Sequence, residues 1–274
     1  MRNVNAPLRI RDSCTLGPFF CFGDCLMNDA ASQPTDFRDG EEMRPGGGKR
    51  PPVFNLPPVL TGSILLLIAI HVIATNFLSD ALREEVFFFG GFVPARYIYP
   101  LSEQGIEWFT SPITYSLLHG GIEHLAFNCL WLAAFGAPVV RRIGTARFLI
   151  YWTVSAIASA LLFMALHWGE PSLLIGASGV ISALMGSACR FAFPPDDRRA
   201  FGPVHLLPRL SIAEALRGRT VRVFMLVWFA GNLLFAFGIP LVGDAGAVAW
   251  EAHIGGFLFG FLLFPLFDPI GRGG

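Results

Sequence analysis

Ser178 lies in Gly176-Ala177-Ser178-Gly179 at the mouth of an apolar run, and His253 lies near the start of the last apolar run of the chain. Polar and ionisable groups in such runs are costly against lipid and mark functional positions. A hydroxyl and an imidazole are the minimal pair for acyl transfer: the ring takes the hydroxyl proton and the oxygen attacks a carbonyl. Gly256 and Gly260 follow His253 at i+3 and i+7, and Ser182 and Gly186 follow Ser178 at i+4 and i+8. Two small-residue faces of this kind let helices pack backbone to backbone. Such packing is expected to bring the imidazole within reach of the hydroxyl.

A third element opens another apolar run. His124 and Asn128 are four residues apart, so they share a helical face, and both side chains can donate hydrogen bonds. Donors converging on a reacting carbonyl stabilise the negative charge of a tetrahedral intermediate. The competing reading is metal ligation by His119 and His124. Their spacing of five splays them around a helix and no carboxylate shares the face, so the oxyanion role is preferred and no metal or cofactor is expected. Glu251 is two residues before His253, about 200° around the helix. It is therefore not expected to orient the ring, and the pair reads as a dyad.

The elements that must position these groups follow from composition. The chain has 274 residues, 53% hydrophobic and only 15% charged, where a soluble domain carries about 25% charge. Six runs near the length needed to cross about 30 Å of hydrocarbon are read at Val59–Leu78, Ile122–Val140, Phe148–Leu166, Leu173–Phe193, Val221–Leu241 and Ala245–Phe267. The fourth should enter as a loop, because Pro171, Gly176 and Gly179 crowd its start. From Gly179 to Phe193 a helix spans only about 22 Å, so its N-terminus, with unpaired N–H groups, is expected in a water-filled dip. A helix starting at Ala245 would place His253 roughly 12 Å down, at similar depth.

Charge placement gives an orientation. Arg141, Arg142, Arg147, Arg190, Arg198, Arg199, Arg209, Arg217, Arg219 and Arg222 fall on one side with the tail, and only Arg83 and Arg96 on the other. The positive-inside rule then puts both termini in the cytoplasm. Residues 1–58 are rich in Gly, Pro, Asp and Arg without periodicity, which reads as a disordered tail without an adequate signal-peptide core. The outer segment 79–119 carries Phe87, Phe88, Phe89, Phe92, Tyr97, Tyr99 and Trp108, types that settle at the headgroup layer or form an ordinary aromatic belt. The loop 194–220 is proline-rich, with a short interfacial helix expected at 208–217, and 268–274 forms a cytoplasmic tail. Cys14, Cys21 and Cys25 match no zinc spacing, Cys129 and Cys189 read as small buried hydrophobes, and no nucleic-acid module is recognisable.

Taken together, these motifs resemble the rhomboid family of intramembrane serine proteases. His119-Gly120-Gly121, His124-Leu125-Ala126-Phe127-Asn128, Gly176-Ala177-Ser178-Gly179 and Ala252-His253-Ile254-Gly255-Gly256-Phe257-Leu258-Phe259-Gly260 occur in family order between about Thr114 and Gly260. The resemblance implies an all-α six-transmembrane-helix bundle in the bacterial inner membrane. It further implies Ser178 as nucleophile, His253 as general base and acid, and His124, Asn128 and the Ser178 N–H as oxyanion hole. Its substrates would be transmembrane segments of membrane proteins, cut near the outer face of the lipid bilayer. Two positions depart from the pattern. Many rhomboids carry Trp-Arg where this chain has Thr110-Ser111, and some stack a tyrosine on the catalytic histidine where this chain has Ser182. Another group must therefore support His253. The alternatives are an inactive rhomboid-like client-binding protein, against which both Ser178 and His253 speak, and a transporter, for which inverted repeats and charged midplane residues are lacking.

Overall fold

The computed structural model describes residues 55–194, 203–237 and 249–271. The expected disordered tail, except its last residues, and the cysteines at 14, 21 and 25 lie outside the described residues, as do residues 272–274 of the 268–274 tail. The described residues are mainly helical, with one isolated bridge between Phe92 and Leu174. Among the described residues nine α-helices run in order: α1 Pro58–Asn76, α2 Asp80–Gly90, α3 Glu107–Thr114, α4 Ile122–Ile143, α5 Thr145–Leu166, α6 Ser178–Ala188, α7 Ile212–Arg217, α8 Arg219–Ala236 and α9 Trp250–Leu263.

Among the described residues α1, α4 and α5 are long and apolar enough to cross a membrane. The fourth expected span is shortened: residues 173–177 are not helical, and α6 has 11 residues, a rise of about 16 Å. Every α6 residue from Gly179 to Ala188 is buried, and a helix apolar all round belongs in a core. It packs against α9, α4 and α5, most extensively against α9. The last expected span also differs at its start. Helix α9 begins at Trp250, not Ala245, only about 4.5 Å of helical rise before His253, so the 12 Å depth reckoned along a helix from Ala245 does not hold.

The segment 79–119 is more structured than its aromatic composition suggests. Ser79 caps α2 by accepting from the Leu82 N–H, with Asp80 in the first turn, the arrangement that satisfies a helix's free donors. Arg96 is buried; its guanidinium donates to Ser111 Oγ at 3.0 Å, Phe88 O at 2.9 Å and Gly91 O at 3.4 Å. One arginine thus joins α2, the turn at 94–98 and α3. Trp108 lies against Tyr97, whose hydroxyl donates to the Trp108 carbonyl at 2.9 Å. Phe92 and Leu174 exchange backbone hydrogen bonds at 3.1 and 2.9 Å, which ties this segment to the strand-like approach to α6.

At the other end of the bundle two buried arginines hold the helix termini. Arg142, in the last turn of α4, pairs with Asp268 at 2.8 Å with both side chains fully buried, and donates to Leu207 O at 2.6 Å. Arg190, just after α6, donates to Leu210 O at 3.1 Å and to Phe261 O on α9. Within the expected interfacial stretch, α7 is closed by a capping box between Ser211 and Glu214.

Candidate active site

Gly176 sets the local backbone. Its φ of +114° is a conformation that side-chain-bearing residues rarely adopt. Its N–H donates to Tyr115 O at 2.9 Å, and the next N–H, of Ala177, reaches His119 Nε2 at 3.5 Å. The chain then turns helical, and Ser178 is the first residue of α6. It is half-buried and so reachable at the helix mouth.

A β-carbon placed on Gly176 would lie 2.7 Å from His124 Nε2 and 3.8 Å from Asn128 Nδ2. Both side chains, one turn apart on α4, therefore converge on the backbone two residues before Ser178. Asn128 is 5% exposed and its Nδ2 has no hydrogen-bond partner among the described residues. A buried unsatisfied donor costs roughly 1–3 kcal/mol, and its persistence at a site is a sign of a partner that arrives with substrate. His119 packs edge-on against His124 with ring centroids 5.1 Å apart. It turns its Nε2 to the Ala177 N–H rather than offering it with His124 as a ligand pair.

His253 arrives from α9, which meets α6 along glycines. A β-carbon on Gly256 would lie 2.9 Å from the Gly179 carbonyl carbon, and one on Gly260 2.6 Å from that of Ala183. From the α6 side, one on Gly186 would lie 2.7 Å from the Phe261 nitrogen. Only glycine permits these approaches. The described residues contain no hydrogen bond between Ser178 and His253; instead His253 Nδ1 is 2.8 Å from Asn232 Oδ1 on α8. Ser182 points elsewhere and donates to the Ser178 carbonyl at 2.7 Å. Glu251 is 3.0 Å from His167 Nε2, whose Nδ1 is 2.7 Å from Glu170. Although partial burial opposes protonation of His167, the carboxylates Glu170 and Glu251 outweigh it and raise its pKa above 6.5.

Two neighbours of the site escaped the sequence reading. Asn232 is the polar partner of His253. His71, buried on α1, has its Nδ1 3.1 Å from the His119 carbonyl; the available signal was an ionisable residue inside an apolar run.

The family model for the Rhomboid domain matches residues 107–268, a stretch that takes in α3 to α9 and every residue of this site. The chain belongs to the rhomboid family. It is 27% identical over 157 residues to a rhomboid protease GlpG of Pectobacterium atrosepticum, covering 57% of this chain and 46% of that protein. To a rhomboid protease GluP of Bacillus subtilis it is 30% identical over 155 residues, 57% of this chain and 25% of that protein. To a rhomboid protease GlpG of Yersinia pseudotuberculosis it is 28% identical over 156 residues, 55% and 45% of the two chains. The matched stretch spans between a quarter and about half the length of these rhomboid relatives. Helices α1 and α2 and the Arg96 anchor lie outside the family match.

Proposed function

We propose that this rhomboid is an intramembrane serine endopeptidase that cleaves transmembrane segments of other membrane proteins near the outer face of the bilayer. Ser178 Oγ attacks the scissile carbonyl while His253 Nε2 takes its proton. The same ring returns that proton to the leaving amine, and a water molecule then releases the acyl group from Ser178 by the reverse proton path. His124, Asn128 and the Ser178 N–H receive the negative charge that develops on the carbonyl oxygen. The observation that carries this reading is the unpartnered, buried Asn128 Nδ2 converging with His124 on the backbone that leads into Ser178. The family membership and the protease names of the matched relatives support the reaction class.

Six membrane crossings with both termini cytoplasmic complete the proposal, supported by the three long apolar helices, the buried α6 and the arginine asymmetry. A substrate helix must unwind to present its carbonyl, so Gly or Pro near the cleaved bond should help. The test is labelling of the purified protein with a fluorophosphonate, together with cleavage of a model transmembrane substrate. Wild type should be labelled and active, and Ser178→Ala neither, with folding nearly intact. Undiminished cleavage by Ser178→Ala sinks the assignment.

A further inference from the structure

The Asn232 carboxamide has only one way to satisfy both of its ends. Its Nδ2 donates to the Trp228 carbonyl, one turn back on α8, at 2.8 Å. A carbonyl can only accept, so this contact fixes the amide orientation and leaves Oδ1 facing His253 Nδ1 at 2.8 Å. Oδ1 is also only an acceptor, so the Nδ1 of the ring must carry the hydrogen. Asn232 is 5% exposed, and water competes little for either bond.

Resting on the function proposed above, we infer that Asn232 is the positioning residue for His253: it holds the neutral imidazole in the Nδ1–H tautomer and leaves the Nε2 lone pair for the Ser178 proton. A ring with the hydrogen on Nε2 cannot act as the base, so the tautomer is part of the mechanism and not a detail of packing. Asn232 does this across two helices, so α8 contributes to the chemistry without touching substrate. The other titratable groups around His253 are few. Glu251, on the same helix, is turned to His167, and His124 faces the site from α4. Helix α6 carries no ionisable acid or base, and the α8 arginines Arg219 and Arg222 lie at least ten residues from Asn232, about 15 Å along the helix.

The experiment compares full-length wild type, Asn232→Leu and Asn232→Asp in lipid nanodiscs. Fluorophosphonate labelling rates and kcat are followed across pH, and the tautomer of His253 is read by nitrogen-15 NMR of histidine-labelled protein. Asn232→Leu should lose the Nδ1–H preference and slow kcat by about ten-fold or more, the scale of one lost neutral hydrogen bond, with KM little changed. Asn232→Asp should recover activity, and its carboxylate should move the acid limb of the profile to higher pH by about one unit or more. A packing residue would not move that limb. An active wild type whose tautomer survives Asn232→Leu, or whose acid limb stays put in Asn232→Asp, overturns this role alone. A wild type that is never labelled and cleaves nothing overturns the proposed function and this role together.

Discussion

Gly256 on α9 faces the Gly179 carbonyl on α6 so closely that a β-carbon at Gly256 would sit 2.9 Å from the carbonyl carbon and overlap its oxygen. The obstacle is backbone, which no rotamer change can move aside. Gly256→Ala should therefore lower stability by about 1–3 kcal/mol through overpacking, and separate His253 from Ser178. Gly62→Ala on α1 meets nothing within 4 Å and should be neutral or mildly stabilising through helix propensity. Thermal unfolding in detergent of the two variants decides it, and equal melting temperatures would contradict the close approach.

Asn128→Ala removes a donor that has no partner among the described residues. Its effect should appear in turnover and not in substrate binding: kcat slower by about 10²-fold, with KM nearly constant. Smaller losses are expected if His124 and the Ser178 N–H compensate. Steady-state kinetics on a transmembrane substrate gives the split, and activity lost to a chelator and restored by zinc would point to a metal site instead.

Arg96→Lys should loosen the segment 79–119. A lysine ammonium cannot reach Ser111, Phe88 and Gly91 in the fixed fork that a guanidinium provides, and a charged hydrogen bond lost in a buried site is worth about 2 kcal/mol. Hydrogen exchange should rise in α2 and α3 while α5 and α6 stay protected. Uniform exchange across all four helices would show that Arg96 does not anchor the segment.

His167 gives a pH signature. Its folded pKa is raised above the ordinary value of 6.5, so the stabilisation from Glu170 and Glu251 is complete below about pH 6.5 and is lost as pH rises through the folded pKa. The gap in melting temperature between wild type and His167→Gln should be widest in mild acid and close toward alkaline pH. A gap that widens with pH would contradict a raised folded pKa for His167.

Much of the site was legible because its constraints are local. Gly176 and Pro171 mark where a helix cannot yet run, and the glycines after His253 repeat at helical spacing, so both helix faces could be read from one strip of sequence. Asn232 could not be read that way: it is a lone asparagine whose partner lies 21 residues along the chain on another helix. From sequence Arg96 is only one of two arginines on the sparsely charged side, because nothing in its neighbours announces burial. The helices α2 and α3 were hidden behind aromatic residues that fit a headgroup layer equally well, although the Ser79 cap followed by Asp80 was a usable signal. The start of α9 was misplaced because the alanines and valine from 245 to 249 extend the apolar run beyond the first helical residue.

Arg142 and Arg190 clamp the ends of α4, α6 and α9 to the 203–210 segment through buried ionic and carbonyl contacts. Ser178 and His253 sit at the opposite ends of α6 and α9 from that clamp. Mechanically the clamp is an anchor at one end of these helices, and the Phe92–Leu174 bridge and the Gly176–Tyr115 bond tie the approach to α6 at the other. On the function proposed above, the register set at the clamp would bring Ser178 and His253 back to one alignment after each turnover, without any residue of the clamp lying at the site.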